Sequence, residues 1–360
     1  MHNKHLMNAG YYLLLIFSFT VALFPSISYM AALLISVVWL VDLAIFKEPK
    51  FQNMPLFFPL MALSIFIAAA GVVSGFQGGH YRHLNLALLP LYYFVVPGFI
   101  ITVEQRRMIL WTFCGGILLH AGLRIIGWWG GLRNADMLAQ PFLSFYIFVI
   151  CIMIALFAES RGIRERIFYL LTILPLLASS FLSYSVLLIL VLFVTAVVLA
   201  LVRQRWLLAP IAIAIGLALY ASNDAGPGAG GGTLLAQVKS TIILPFTAAK
   251  SDDSIINGAR FFGAGNRLPV SGIYSGNSYF LDIIRSFGPP SFLLILYILV
   301  ERGRESFFKR KKVTLAEEKT YHLAVLLVIA AIFATNLYDN AFNFSNVVLV
   351  AWMILGLSEV

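Results

Sequence analysis

Charge is scarce in this chain. Asp, Glu, Lys and Arg make up 11% of it, whereas a soluble globular domain carries about 25%. Set against 61% hydrophobic residues and a mean hydropathy of +0.91, that shortage excludes a water-soluble fold, because no soluble core could absorb so much apolar sequence. Cysteine is nearly absent. Cys114 and Cys151 each lie inside an apolar run, which excludes a disulfide framework and a thiolate metal centre. Carboxylate clusters are missing too. Asp252 and Asp253 are neighbours, Asp136 and Asp224 stand alone, and no divalent-metal site and no cofactor is suggested. The glycine-rich run from Gly226 to Gly232 is not followed by Gly-Lys-Ser/Thr, so it reads as linker rather than a nucleotide loop. The net charge of +9 is not a nucleic-acid signal, since no basic helix rich in stacking aromatics sits on a soluble domain.

What the chain does have is apolar runs of membrane-crossing length. A span needs about 20 mainly apolar residues, and twelve candidates fit: 9–27, 29–46, 55–74, 84–102, 108–127, 140–157, 167–182, 184–202, 205–221, 277–299, 321–338 and 343–359. The first follows a short basic lead with no small-x-small cleavage site, and reads as an uncleaved span. Between the seventh and eighth, the polar run from Ser179 to Ser185 predicts a tight hairpin turn. The fold class is therefore all-α: a polytopic integral membrane protein of about twelve transmembrane helices. It forms a single transmembrane domain, 1–360, with one long outer loop, 222–276. Within that loop, 233–247 has an amphipathic pattern suited to a membrane surface.

Basic residues orient the spans, because short Lys/Arg-bearing loops stay on the cytoplasmic side. With the N-terminus and Lys4 inside, the alternate turns hold Lys47 and Lys50, then Arg106 and Arg107, then Arg161, Arg164 and Arg166, then Arg203 and Arg205. A loop at 300–320 adds seven more, from Arg302 to Lys319. Both termini are expected to be cytoplasmic.

Six arginines break this pattern. Arg82, Arg124, Arg133, Arg260, Arg267 and Arg285 fall on the outer side or just inside the outer leaflet. Arginines placed against the charge rule call for an anionic ligand, and the planar guanidinium fork suits phosphate oxygens. Three constellations carry the candidate chemistry. His120 and Arg124 share a helix face near the outer end of the fifth span, where ionisable groups within a span point to function. Asn277, Asp282 and Arg285 open the tenth span, Arg285 as a phosphate ligand and Asp282 as an orienting group or base. His80 and Arg82, with His83, precede the fourth span, His80 as a base near neutral pH. The competing readings are structural: a snorkelling arginine, a satisfied histidine, or a self-neutralising Asp282–Arg285 pair. Asn336, Asp339 and Asn340 mark the outer end of the eleventh span.

One stretch carries a resemblance. The long outer loop with Phe262-Gly263-Ala264-Gly265-Asn266, then Gly276-Asn277-Ser278-Tyr279-Phe280-Leu281-Asp282-Ile283-Ile284-Arg285-Ser286-Phe287-Gly288 running into an apolar helix, and the end segment from Asn346 to Leu357, together resemble the O-antigen ligase and polymerase superfamily. The resemblance implies a metal-independent, inverting glycosyltransferase that uses polyprenyl-diphosphate-linked glycans at the periplasmic face, with arginines on the diphosphate. Asn277, Tyr279 and Gly288 match the family pattern. The ligases' histidine falls at Gly276, and this departure favours a polymerase of oligosaccharide repeat units, with a chain-length regulator as a further partner. A ligase delivering finished glycan to lipid A–core or another acceptor is the alternative. A lipid-linked glycan transporter is the second, although transporters need alternating access and this chain gathers its unusual charge and its long loop on one side.

Overall fold

The computed structural model describes residues 4–46, 56–73, 87–130, 141–181, 186–202, 280, 283–284, 287–338 and 345–359. Every regular element among them is helical: α1 Lys4–Thr20, α2 Pro25–Phe46, α3 Phe57–Val73, a 3₁₀ turn Leu89–Leu91 running into α4 Tyr92–Gly98, α5 Val103–Trp129, α6 Pro141–Glu159, α7 Ile163–Phe181, α8 Val186–Val202, α9 Pro289–Lys312, α10 Ala316–Tyr338 and α11 Ser345–Leu357. Three are long and apolar enough to cross a membrane by length and composition, at Pro25–Ile45, Val103–Gly127 and Ala316–Asn336. The ninth candidate span, 205–221, and the loop 222–276 lie outside the described residues.

Helices that are apolar all round belong in a bundle's interior. Here those are α4, α6, α11 and α10 from Tyr321 onward, whose residues are mostly buried, from Phe145 to Met153 on α6 and Val347 to Leu355 on α11. α10 packs against α6, α8 and α9, while α4 packs against α11. The outer helices show the opposite pattern. Met30, Leu33 and Leu40 on α2, Ile126 on α5, and Ile163, Phe168 and Leu171 on α7 are exposed. In water such a surface would aggregate, whereas in a bilayer it faces hydrocarbon. The described residues form an all-helical protein embedded in a membrane.

Close approaches set the helix crossings. A Cβ on Gly116 would lie 2.3 Å from the Phe19 carbonyl oxygen, at the contact of α5 with the end of α1. A Cβ on Gly356 would lie 2.8 Å from the Tyr93 carbonyl oxygen, where α11 meets α4. Small residues at such points let membrane helices pack backbone to backbone.

Two elements differ from the sequence expectation. Of the fourth span, expected over 84–102, residues 87–98 are helical, tightened to a 3₁₀ turn at Leu89–Leu91 that holds Pro90 and followed by α4 with Pro97 inside it. Proline removes a backbone donor and clashes with the preceding turn. The segment 300–320, expected as a loop, is helical as far as Lys312, and only residues 313–315 separate α9 from α10. Phe280, Ile283, Ile284 and Phe287 are helical; the helix breaks at Gly288, which holds φ 84°, and α9 begins with Pro289 and Pro290 in its first turn, an arrangement that starts a helix cleanly. It continues past its apolar part because ion pairs one turn apart support it. These are Arg304 to Glu301 at 2.5 Å, Arg302 to Glu305 at 2.5 Å and Lys309 to Glu305 at 2.7 Å. Lys309, Arg310, Lys311 and Lys312 in the last turn complement the helix dipole.

The turn expected over 179–185 is corrected at its start, where Ser179, Ser180 and Phe181 continue α7, Ser180 bonding its hydroxyl back to the Leu176 carbonyl at 2.7 Å; residues 182–185 lie outside the described residues. On either side, α7 packs on α5 and α6, and α8 mainly on α10 with a smaller contact to α6.

Candidate functional site

α5 presents His120 and Arg124 one turn apart, so both reach the same side of that helix. Arg124 is 6% exposed, a heavy burial for a guanidinium inside an apolar span. Its surroundings explain how it is tolerated. Tyr146 on α6, fully buried, places its hydroxyl 2.7 Å from His120 Nδ1. Ser179 on α7, also fully buried, donates its hydroxyl to the same Tyr146 oxygen at 3.2 Å. The Arg124 side chain hydrogen-bonds that oxygen as well. Three helices therefore meet at one phenol.

The count of donors and acceptors assigns the protons, with the Ser179 hydroxyl taken as the donor to Tyr146. A phenolic oxygen accepts through two lone pairs and donates one hydrogen. Arg124 has only donors, and Ser179 gives its hydroxyl hydrogen. With both acceptor positions of Tyr146 filled, its own O–H donates to His120 Nδ1. That nitrogen must be unprotonated, which leaves the imidazole hydrogen on Nε2. The site thus presents a permanent cation beside an imidazole N–H donor, held by a hydroxyl hub within an apolar bundle. Low dielectric strengthens each of these bonds. Such a pair of donors matches an anionic oxygen ligand, with the guanidinium fork as its main anchor.

His120 and Arg124 are the two expected site residues that the structure brings together. His80, Arg82, Arg133, Arg260, Arg267, Asn277, Asp282 and Arg285 lie outside the described residues. The residues beside Asp282 and Arg285 are described. Phe280, Ile283 and Phe287 are buried, and the Phe280 ring meets Phe292 edge-on and Phe333 of α10 at a tilt. Asn336 is buried on α10, its amide donating to the Ile332 carbonyl at 2.8 Å. No group of three or more His, Cys, Asp or Glu that could hold a metal occurs among the described residues. Cys114 and Cys151 are free thiols in the core.

Tyr146 and Ser179 were not legible as site residues. Tyr146 sits in an unbroken apolar run, and Ser179 reads as part of a turn. The available signal was that a buried phenol needs a partner, but the partner's identity depends on which helices meet.

The opposite pole of the bundle is polar in a different way. Arg302 has no exposed surface and contacts the carboxylates of Glu305 and Glu359 and the hydroxyl of Ser358. Tyr93 also donates to Glu359, and Lys309 reaches it at 3.3 Å. Arg310 bridges to Glu159 at 2.7 Å, and Arg106 lies over the Tyr321 ring at 3.9 Å. Arg302, Lys309 and Arg310 each pair with a carboxylate from this group, so it reads as a clasp between helices.

Compared with known proteins, the chain matches no protein-family model and none of the curated proteins.

Proposed function

We propose that the chain is a membrane glycosyltransferase that polymerises polyprenyl-diphosphate-linked oligosaccharide repeat units at the periplasmic face of a bacterial inner membrane. The observation that carries this reading is Arg124, buried in an apolar bundle and fixed with His120 on the Tyr146 hub. A cation held at such a depth marks function, and a lipid-borne diphosphate is an anion that reaches it from within the membrane plane. In this reading the chain crosses the membrane about twelve times, both termini are cytoplasmic, and residues 222–276 form the periplasmic loop.

The reaction is a displacement at the anomeric carbon. A hydroxyl oxygen at the non-reducing end of one lipid-linked repeat attacks that carbon on another chain. The bond from carbon to the diphosphate oxygen breaks, its electron pair leaves on polyprenyl diphosphate, and the hydroxyl proton passes to a base. Arginines aimed at the leaving oxygens stabilise the developing charge. We assign Arg124 and Arg285, with Arg82, Arg260 and Arg267, to the diphosphate, His120 and Asn277 to the glycan–diphosphate junction, and Asp282 or His80 to the base.

Deletion of the gene, followed by gel and mass-spectrometric analysis of lipid-linked and surface glycans, tests the reading. Single repeat units left on the carrier, with long chains gone, are expected. Long chains accumulating on the carrier, with none on the final acceptor, would instead make the protein a ligase. An unchanged glycan profile would overturn the transferase reading and favour transport.

A further inference from the structure

A pocket of about 330 Å³ opens between α5, α6, α7 and α10, at the bundle end away from the Tyr146 hub. Arg107 on its rim and Arg124 lie on the same helix, which separates the two places by roughly 25 Å. Its lining divides by chemistry. Leu110, Ile152, Leu156 and Ala324 make an apolar floor. At the mouth stand two exposed arginines, Arg107 from the start of α5 and Arg161 from the α6–α7 turn. Neither forms an ion pair among the described residues, whereas Glu159 in the same wall is held by Arg310. Two exposed carboxylates, Glu165 and Glu317, share the rim. Trp111 and Tyr169 stack beside them, ring centroids 6.3 Å apart and planes 24° from parallel.

A simple anion entering this mouth would meet Glu165 and Glu317, and a simple cation would meet the two arginines. A group carrying both charges a few ångströms apart satisfies both sets. Arginine forks take a phosphate, while a carboxylate pair beside an aromatic face takes an ammonium. The apolar floor then calls for hydrocarbon attached to that zwitterion. The membrane supplies it, since the outward face of α7 beside the mouth is lined by exposed Ile163, Ile167 and Phe168.

We propose that this pocket binds one phospholipid with a zwitterionic, amine-bearing headgroup of the phosphatidylethanolamine type. Arg107 and Arg161 hold the phosphate, Glu165 and Glu317 with the Trp111–Tyr169 pair hold the ammonium, and an acyl chain lies on the floor. The bound lipid joins α10 to α5, α6 and α7 and stabilises the folded bundle by mass action. The site is independent of the ligand taken at the Tyr146 hub.

The test is native mass spectrometry and thermal unfolding of the full chain in detergent, titrated with dioleoyl-phosphatidylethanolamine or dioleoyl-phosphatidylglycerol. One phosphatidylethanolamine is expected to be retained about tenfold more tightly than phosphatidylglycerol, for loss of a charged hydrogen-bond partner. Glu165→Gln with Glu317→Gln should erase that preference. Arg107→Gln with Arg161→Gln should weaken both lipids. All four side chains are exposed, so the variants leave the core untouched. Equal retention of the two lipids by the unaltered chain would overturn the proposal. So would phosphatidylethanolamine binding that neither double variant changes, or full competition by soluble glycerophosphoethanolamine, which lacks the acyl chains.

Discussion

Arg302 on α9 and Glu359, just past the end of α11, form an ion pair in which the guanidinium has no contact with solvent and the carboxylate is 7% exposed. Removing one member of a buried pair strands the other and costs about 3–5 kcal/mol. Arg302→Met should therefore lower the unfolding temperature in detergent markedly. Combining it with Glu359→Gln should recover part of the loss. An Arg302→Met protein as stable as the unaltered one would show that the clasp contributes nothing.

Acid should loosen the same clasp. Burial raises the carboxyl pKa of Glu305, but Arg302 and Lys309 outweigh it and hold it below the usual 4.5. A carboxylate depressed in the folded state adds stability above its unfolded pKa, and that stability is lost as pH falls through the folded one. The unfolding temperature should thus drop as pH goes below about 4.5, the reference value. It should drop less steeply in Glu305→Gln, and parallel curves for the two proteins would refute the assignment.

Two neighbouring glycines on α5 should respond in opposite directions. Gly116→Ala drives a methyl into the Phe19 backbone, with its Cβ 2.3 Å from the carbonyl oxygen, and overpacking of this kind costs about 1–3 kcal/mol. At Gly115 nothing lies within 4 Å of the added Cβ, so Gly115→Ala should be neutral or stabilise by up to about 1 kcal/mol through helix propensity. Thermal unfolding of the two variants side by side checks the α1–α5 crossing.

The hub makes its own prediction for activity. Tyr146→Phe keeps the ring and removes the oxygen that joins His120, Arg124 and Ser179. Leaving buried donors unsatisfied costs about 1–3 kcal/mol, so turnover of lipid-linked repeats should fall about tenfold or more, with a modest loss of stability. Arg124→Lys keeps the charge but loses the planar fork, and should lose turnover with its stability nearly unchanged. Full polymer formation by Arg124→Lys would count against a diphosphate clamp at that position. In the same assay, Arg285→Lys should behave as Arg124→Lys does.

The helical class and the membrane setting were legible because they follow from composition and run length, which each segment declares alone. Helix ends were less legible. Apolar content placed the tenth span over 277–299, but not the break that Gly288 and the two prolines make at 288–290, nor the ion pairs that carry α9 on to 312. A hydropathy pattern cannot register that support, because it treats every charge as an exit from the membrane. The same limit hid Arg302, which counted as a topology signal and is in fact buried. At the candidate site, His120 and Arg124 were visible as charged residues on one helix face. Tyr146 and Ser179 were invisible, because their roles depend on three helices meeting at one hydroxyl.

The short α4, buried on every side and broken by prolines, also bears on the order of assembly. Pro90 and Pro97 each remove a backbone donor within the stretch from Leu89 to Gly98, which weakens it as an independent span. Its carbonyl at Tyr93 sits against Gly356, and its phenol joins Glu359. Neighbours so distant in sequence reach it only after α11 has been synthesised. A segment that emerges early therefore waits for α11, and the bundle closes around it from the late end inward.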